Sequence, residues 1–169
     1  MQITKQLQQE IEEIRDKALF YTYHSSSLSE QHIFVDSNAL RQKLRLLPNY
    51  NSNEMCMYSR FYGHTDDVLP LIQTCVQENL QYLEKWNPRN TALVLHTDFP
   101  EPIGTGIVKD TDWNTLFSMS RIRVILGKSK ISERTFRIVT AYPVPNIEEM
   151  NEIWDAMDDF SIQQVKKSR

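Results

Sequence analysis

Thr140 and Tyr142 stand two residues apart in the string Arg134-Thr-Phe-Arg-Ile-Val-Thr-Ala-Tyr-Pro143, which has the alternation of a β-strand. Side chains at i and i+2 of a strand point the same way, so both hydroxyls are expected on one face. Arg134 falls in the same row, and Pro143 is expected to stop the ladder. Hydroxyls beside a guanidinium can hold a phosphate through charge-assisted hydrogen bonds. The plainer alternative is an edge strand with a solvated polar face, because Thr and Tyr are ordinary strand residues.

Of His24, His32, His64 and His96, His32 has the most suggestive surroundings. It precedes Ile33-Phe34-Val35 and a helix whose polar face carries Arg41, Lys43 and Arg45. Imidazole titrates near neutrality and can take a proton from a hydroxyl, while a nearby Lys or Arg stabilises charge building on a phosphate. A structural or solvent-facing loop histidine is the alternative. His64, in Gly63-His-Thr-Asp66, is assigned to a helix N-terminus, and His96 to a partly buried place in an apolar strand.

The elements that must position these groups follow from periodicity. Ile3, Leu7, Ile11, Ile14, Ala18 and Leu19 recur at helical spacing, predicting one amphipathic helix from Ile3 to Phe20 whose apolar stripe needs a partner. Tyr21 to Gln31 reads as a polar loop. Asp36 or Ser37 then caps a helix carrying Leu40, Leu44 and Leu47, closed by Pro48-Asn49. Met55 to Phe61 is a short strand. Val68, Leu71, Ile72, Cys75, Val76, Leu80, Leu83 and Trp86 lie on one face of a long core helix, with Pro70 in or near its first turn.

From Thr91 onward, short apolar or alternating runs take over. Thr91–His96, Thr105–Lys109, Arg121–Leu126 and Arg134–Pro143 are strands, and Asp110–Ser120 is an irregular or helical connection. The hairpin from Arg121 to Tyr142 concentrates Arg121, Arg123, Lys128, Lys130, Arg134 and Arg137, with Glu133 its only acid. Charged outer faces also protect strand edges, which is the bland reading of that cluster. After Pro145 an amphipathic helix closes the chain, and Val165–Arg169 is expected to fray. Helices first and strands later predict an α+β fold, with N-terminal helices packed on a mainly antiparallel sheet.

At 169 residues the chain suits a single core, and no apolar run approaches the roughly 20 residues of a membrane span. The N-terminus lacks a secretory signal pattern, so the chain is expected either to stay in the cytoplasm or to be exported by another route. A net charge of −3 leaves nucleic-acid binding to local clusters. Cys56 and Cys75 make no disulfide framework, and a bridge between them is left open. No Gly-rich phosphate loop, Gly-x-Ser-x-Gly elbow or His-Glu-x-x-His site occurs, so chemistry has to come from dispersed residues, and no cofactor is implied.

Taken in order, the motifs resemble the bacterial RNase A-like toxin domains at the C-termini of contact-dependent growth inhibition proteins. The resemblance spans roughly residues 30 to 145. It rests on His32 before a helix, Ser59-Arg-Phe61 ahead of the long helix, Ala92-Leu-Val-Leu95, Pro102-Ile-Gly104, Arg123-Val-Ile-Leu126 and Phe136-Arg-Ile-Val-Thr-Ala-Tyr-Pro143. It divides the chain into an N-terminal segment 1–29, an RNase A-like domain 30–145 and a C-terminal helix and tail 146–169. By position it implies His32, Lys43, Thr140 and Tyr142 as catalytic residues, with Arg41, Arg134 and Arg137 added as RNA-binding. Lys43 stands where the family usually has Arg, and Arg41 is the alternative cation. Lys supplies a point charge and not a bidentate fork.

The implied activity is a metal-independent endoribonuclease cleaving single-stranded RNA through 2′-hydroxyl attack and a cyclic phosphate. The implied protein is a bacterial toxin held by a cognate immunity protein, delivered between cells and acting in bacterial cytoplasm. A domain that keeps the fold, has lost the chemistry and binds RNA or protein is the rival. A third reading makes the chain an interaction module whose N-terminal stripe pairs with another subunit. The oligomeric state is left open.

Overall fold

In the computed structural model, which describes residues 4–25, 27–86 and 91–168, strands form two antiparallel sheets flanked by helices. β1 (Met57–Phe61), β3 (Gly104–Val108) and β4 (Phe117–Met119) make one sheet in the order β1-β3-β4. β2 (Leu93–Asp98), β5 (Arg121–Lys128) and β6 (Phe136–Val144) make the other in the order β2-β5-β6. The architecture is the α+β fold expected from the sequence. β4 lies in the stretch expected to be an irregular connection, and it runs into β5 through Ser120, so one length of chain serves both sheets. Glu149 braces that joint from the first turn of α6 (Ile147–Lys167), accepting from the Ser120 amide and hydroxyl, each at 2.7 Å.

The sheets also meet at β1 and β6, where the Ser59 hydroxyl donates to the Pro143 carbonyl at 2.6 Å. Backbone N–H and C=O of one strand residue face the same edge, so the N–H that proline lacks would have faced β1. No bond to β5 is lost. The ladder therefore continues past Pro143 to the pair Arg121–Val144, against the expectation that proline would stop it. Gly104 of β3 is required at this junction, because a Cβ there would collide with the Arg60 carbonyl and the Pro143 ring.

A β-bulge in β6 changes which side chains share a face. Ile125 pairs with Thr140 but Leu126 pairs with Ile138, so Val139 has no opposite number. Phe136 and Ile138 enter the core before the bulge and Ala141 enters it after, which turns Thr140 and Tyr142 to the other side. The expected row of Arg134, Thr140 and Tyr142 is thereby broken, and Arg134 itself lies outside β6. The Ile138 backbone is completed by the chain at residues 24–25, its N–H donating to His24 Nδ1 at 2.9 Å and its carbonyl accepting from Ser25 N at 3.0 Å.

The single N-terminal helix of the sequence reading is two, α1 (Lys5–Glu13) and α2 (Lys17–Tyr23); Ile3 lies outside the described residues. Asp16 makes the break, its carboxylate capping the amides of Ala18 and Leu19. The stripe finds its partner within the chain: Leu7, Ile11, Ile14 and Phe20 share one core with Ile72 and Val124. The long core helix is likewise divided into α4 (Thr65–Glu78) and α5 (Leu80–Lys85), with Pro70 in the second turn of α4. Asn79 sits at the break, its amide donating to the carbonyls of Cys75 and His96. α3 (Ser37–Arg45), capped by Asp36, covers a second core of Val35, Leu40, Leu44, Cys56 and Ile107. Cys56 and Cys75 are buried free thiols in different cores. The last helix holds to Lys167 where fraying was expected, and Arg169 lies outside the described residues.

Candidate active site

His32 lies in a π-helical turn, Ser29–Ile33, between α2 and α3. Such turns recur at functional sites because they widen the backbone and re-aim one side chain. The turn is held by Tyr21, whose hydroxyl bonds Ser29 Oγ and lies 3.2 Å from Thr65 Oγ1. It delivers His32, 7% exposed, to the junction of the two sheets. There Nδ1 lies 2.8 Å from the Ser59 carbonyl oxygen. A carbonyl only accepts, so Nδ1 carries the proton and neutral His32 presents the lone pair of Nε2.

The ring is clamped on both faces, with Tyr58 at 5.0 Å and Tyr142 at 5.1 Å between centroids and interplanar angles of 16° and 28°. Burial lowers the His32 pKa to about 4; the bond to Ser59 opposes the shift and the positive charge of Lys43 adds to it. The imidazole is therefore neutral at pH 7.

His32, Tyr58, Ser59, Arg123, Thr140 and Tyr142 line a cleft of about 570 Å³, with Met55, Met57 and Met150 among its apolar walls. Thr140 Oγ1 is buried and has no hydrogen-bond partner among the described residues. Unpaired buried hydroxyls are costly, which makes this one a candidate ligand-binding group. Arg123 Nη1 donates to Tyr142 Oη at 3.2 Å, and Nε donates to His96 Nε2 at 2.9 Å. The pairings His96–Arg123 and Arg123–Tyr142 set these residues in one row across β2, β5 and β6. His96 is exposed in that row and not partly buried as expected; desolvation, then the charges of Arg123 and Arg121, lower its pKa.

The fold thus gathers His32, Thr140 and Tyr142 from distant parts of the sequence. Lys43 stands beside them, outside the cleft wall, its ammonium 5.8 Å from the centroid of Tyr58. The other predicted cations lie elsewhere. Arg41 donates to the Trp113 carbonyl at 3.1 Å and to Asn38, and Arg134 is ion-paired with Glu13 at 2.9 Å and Glu10 at 3.8 Å over the ring of Tyr23. Arg137 bonds the Lys128 carbonyl at the far end of β5.

Sequence reasoning missed Arg123, Tyr58 and Ser59 as cleft residues. A signal was present for Arg123: the alternation Arg121, Arg123, Ile125 puts it on the non-core face of the strand that pairs with Thr140 and Tyr142. Tyr58 and Ser59 gave none, because their roles depend on where β1 meets β6. Among the described residues, no three His, Cys, Asp or Glu side chains converge as a metal site, and no helix is long and apolar enough to cross a membrane.

Helices packed on two antiparallel sheets that meet beside His32 give an α+β domain. Residues 27–143 match the family described as the bacterial CdiA-CT RNAse A domain, and the chain belongs to that family of contact-dependent growth inhibition toxins. It is similar to a chain in the crystal structure of the CdiA-CT/CdiI complex from Y. kristensenii, with a TM-score of 0.56 and 17% identity, covering 72% of this chain and 100% of that one. At that identity the likeness shows the fold. No curated protein matches the chain.

Proposed function

We propose that this domain is a metal-independent endoribonuclease that cleaves single-stranded RNA by transesterification. The observation that carries the reading is the Nδ1 bond of His32 to Ser59, which fixes a neutral ring with its Nε2 lone pair available as a general base. In the step, Nε2 takes the proton of a ribose 2′-hydroxyl and the 2′-oxygen bonds to the adjacent phosphorus. The bond from phosphorus to the 5′-oxygen breaks, leaving a 2′,3′-cyclic phosphate. Arg123 can only donate to Tyr142 Oη, so the phenol keeps its own proton to pass to the departing 5′-oxygen.

Thr140 supplies its unpartnered hydroxyl to a non-bridging phosphate oxygen. Arg123, with Lys43 adding positive potential from behind Tyr58, stabilises the charge that grows on the phosphorane. A well-placed general base is worth about 10² to 10⁴ in rate.

Membership of the toxin family supports a role in bacterial competition, with delivery into a target cell and action in its cytoplasm. The similar structure is a CdiA-CT/CdiI complex, which supports a cognate immunity protein as partner.

The test is incubation of the protein in EDTA with total RNA and with single-stranded DNA, beside His32→Ala. Loss of RNA with wild type alone, and cyclic-phosphate ends, is the expected result. Wild-type cleavage rates in folded His32→Ala would overturn the assignment, and a folded wild type that cleaves nothing would return the domain to the rival reading of an RNA- or protein-binding module.

A further inference from the structure

The cleft occupies one end of the outer face of the β2-β5-β6 sheet, and the same face continues toward the turn between β5 and β6. The register orders it in rows: His96, Arg123 and Tyr142; then Val94, Ile125 and Thr140; then Gly127 and Arg137. The middle row is apolar across β2 and β5, with Val94 47% exposed. The last row ends in positive charge. Arg137 lies across β5 over Gly127: a Cβ there would be in ordinary contact with the guanidinium at 3.8 Å and tight only against Val139 at 3.0 Å. Arg137 Nε donates to the Lys128 carbonyl at 3.2 Å, which holds the guanidinium and leaves its other N–H groups unengaged among the described residues.

Around Arg137 is a concavity of about 460 Å³ lined by Lys128, Ser129, Lys130, Ser132 and Arg137, without a carboxylate. Elsewhere in the hairpin, Arg121 is paired with Asp98 and Arg134 with Glu13 and Glu10. Among the described residues, Lys128, Lys130 and Arg137 have no such partner. From Arg123 to Gly127 is four residues of strand, about 13 Å at the rise of a β-strand, which is a few nucleotides of single-stranded backbone.

We propose that Lys128, Lys130 and Arg137 form a second phosphate site, which takes the backbone of the same RNA strand a few nucleotides from the scissile bond. The intervening base rests on Val94 and Ile125. The identity of the polymer as substrate rests on the function proposed above; the anion site itself does not. Lysines at strand ends also discourage edge pairing, but that role leaves affinity for a polyanion untouched.

An uncleavable probe separates the two claims, because DNA lacks the 2′-hydroxyl. Binding of a fluorescent 12-residue oligothymidylate is measured by anisotropy over a range of salt. The wild type is compared with the triple variant Lys128→Ala/Lys130→Ala/Arg137→Ala, the double variant Lys128→Ala/Lys130→Ala, which spares Arg137, and a control Lys166→Ala/Lys167→Ala on α6. Affinity is expected to fall about tenfold or more in the triple variant. The slope of log K against log salt should flatten by about 2, since each phosphate contact on a single strand contributes about 0.7. The double variant should lie between, and the control should match wild type. On RNA, the triple variant should lose at least tenfold more kcat/KM on a 12-mer than on a dinucleotide.

Unchanged oligothymidylate affinity and slope in the triple variant would overturn the site and favour an acidic protein as the occupant of the patch; an equal loss in the α6 control would also overturn it. If binding is lost as expected while the wild type cleaves no RNA, the anion site stands and the catalytic reading fails.

Discussion

Ser59 Oγ lies 2.6 Å from the Pro143 carbonyl oxygen, so the residue that holds His32 through its carbonyl also ties the two walls of the cleft together through its hydroxyl. Both bonds are buried. Ser59→Ala keeps the backbone carbonyl and leaves the Pro143 oxygen without its donor. It should cost about 1–2 kcal/mol in urea unfolding. It should also lower kcat more than it raises KM, because the shift falls on the distance between His32 and Tyr142. An unchanged kcat would show that the tie has no part in positioning the base.

The low pKa of His32 sets the pH dependence of cleavage. A base is active when unprotonated, so kcat/KM should hold from neutrality down past pH 6.5 and fall toward a midpoint near 4 in the free enzyme. Lys43→Met removes a charge that adds to the depression, so the His32 midpoint should move upward in an NMR titration of the imidazole. A midpoint at 6.5 in the wild type would contradict the buried, clamped ring.

Stability should show the same acid side. His24 is lowered to about 4 by burial and then by the charge of Arg134, as His32 is by burial. In the unfolded chain both take protons near pH 6.5, while the folded chain takes them only near pH 4. The unfolded state binds more protons between those values, so stability is full above about 6.5 and declines as pH falls through that window. Each imidazole contributes on the order of 3 kcal/mol. Chemical denaturation at pH 7 and pH 4.5 measures the difference.

Arg134 is expected to act as a structural cation, because its guanidinium is taken up by Glu10, Glu13 and Tyr23. Arg134→Met leaves the buried Glu10, 1% exposed, without its guanidinium and releases Glu13 and Tyr23. A loss of about 3 kcal/mol is expected, with the RNA-binding salt slope unchanged at a temperature where the variant is folded. A flatter salt slope with little loss of stability would assign Arg134 to RNA instead.

Gly104→Ala should destabilise by about 1–3 kcal/mol, because the methyl meets backbone at Arg60 and the ring of Pro143, neither of which can rotate away. Thermal melting measures it. A neutral effect would mean that the junction between the sheets is looser than its contacts imply.

Elements with an uninterrupted pattern were legible in the sequence: α3 between Asp36 and Pro48, the alternating β5, and the apolar face of α4. What escaped were local breaks set by single polar side chains. Asp16 starts a new helix by capping its amides and Asn79 closes one by bonding its last turn, and in both cases the apolar period runs through the break and hides it. The bulge at Val139 was hidden for a related reason, since alternation continues on either side of it with the phase shifted by one. Thr140 and Tyr142 kept their common face because both lie beyond the bulge, whereas Arg134 lost its place in their row. His32 was legible as an imidazole near cations, but its partners Ser59 and Tyr58 come from a strand whose position is a tertiary fact.

The outer edge of β6 is already spoken for. At Ile138 both backbone groups are taken by His24 and Ser25, and at Pro143 there is no N–H to offer and the carbonyl belongs to Ser59. These two positions interrupt the register a strand from another molecule would need, so β-augmentation on the strand that carries Thr140 and Tyr142 is disfavoured. A protein that silences this domain is therefore expected to cover the mouth of the cleft or the basic face beside it, with side chains more than with backbone.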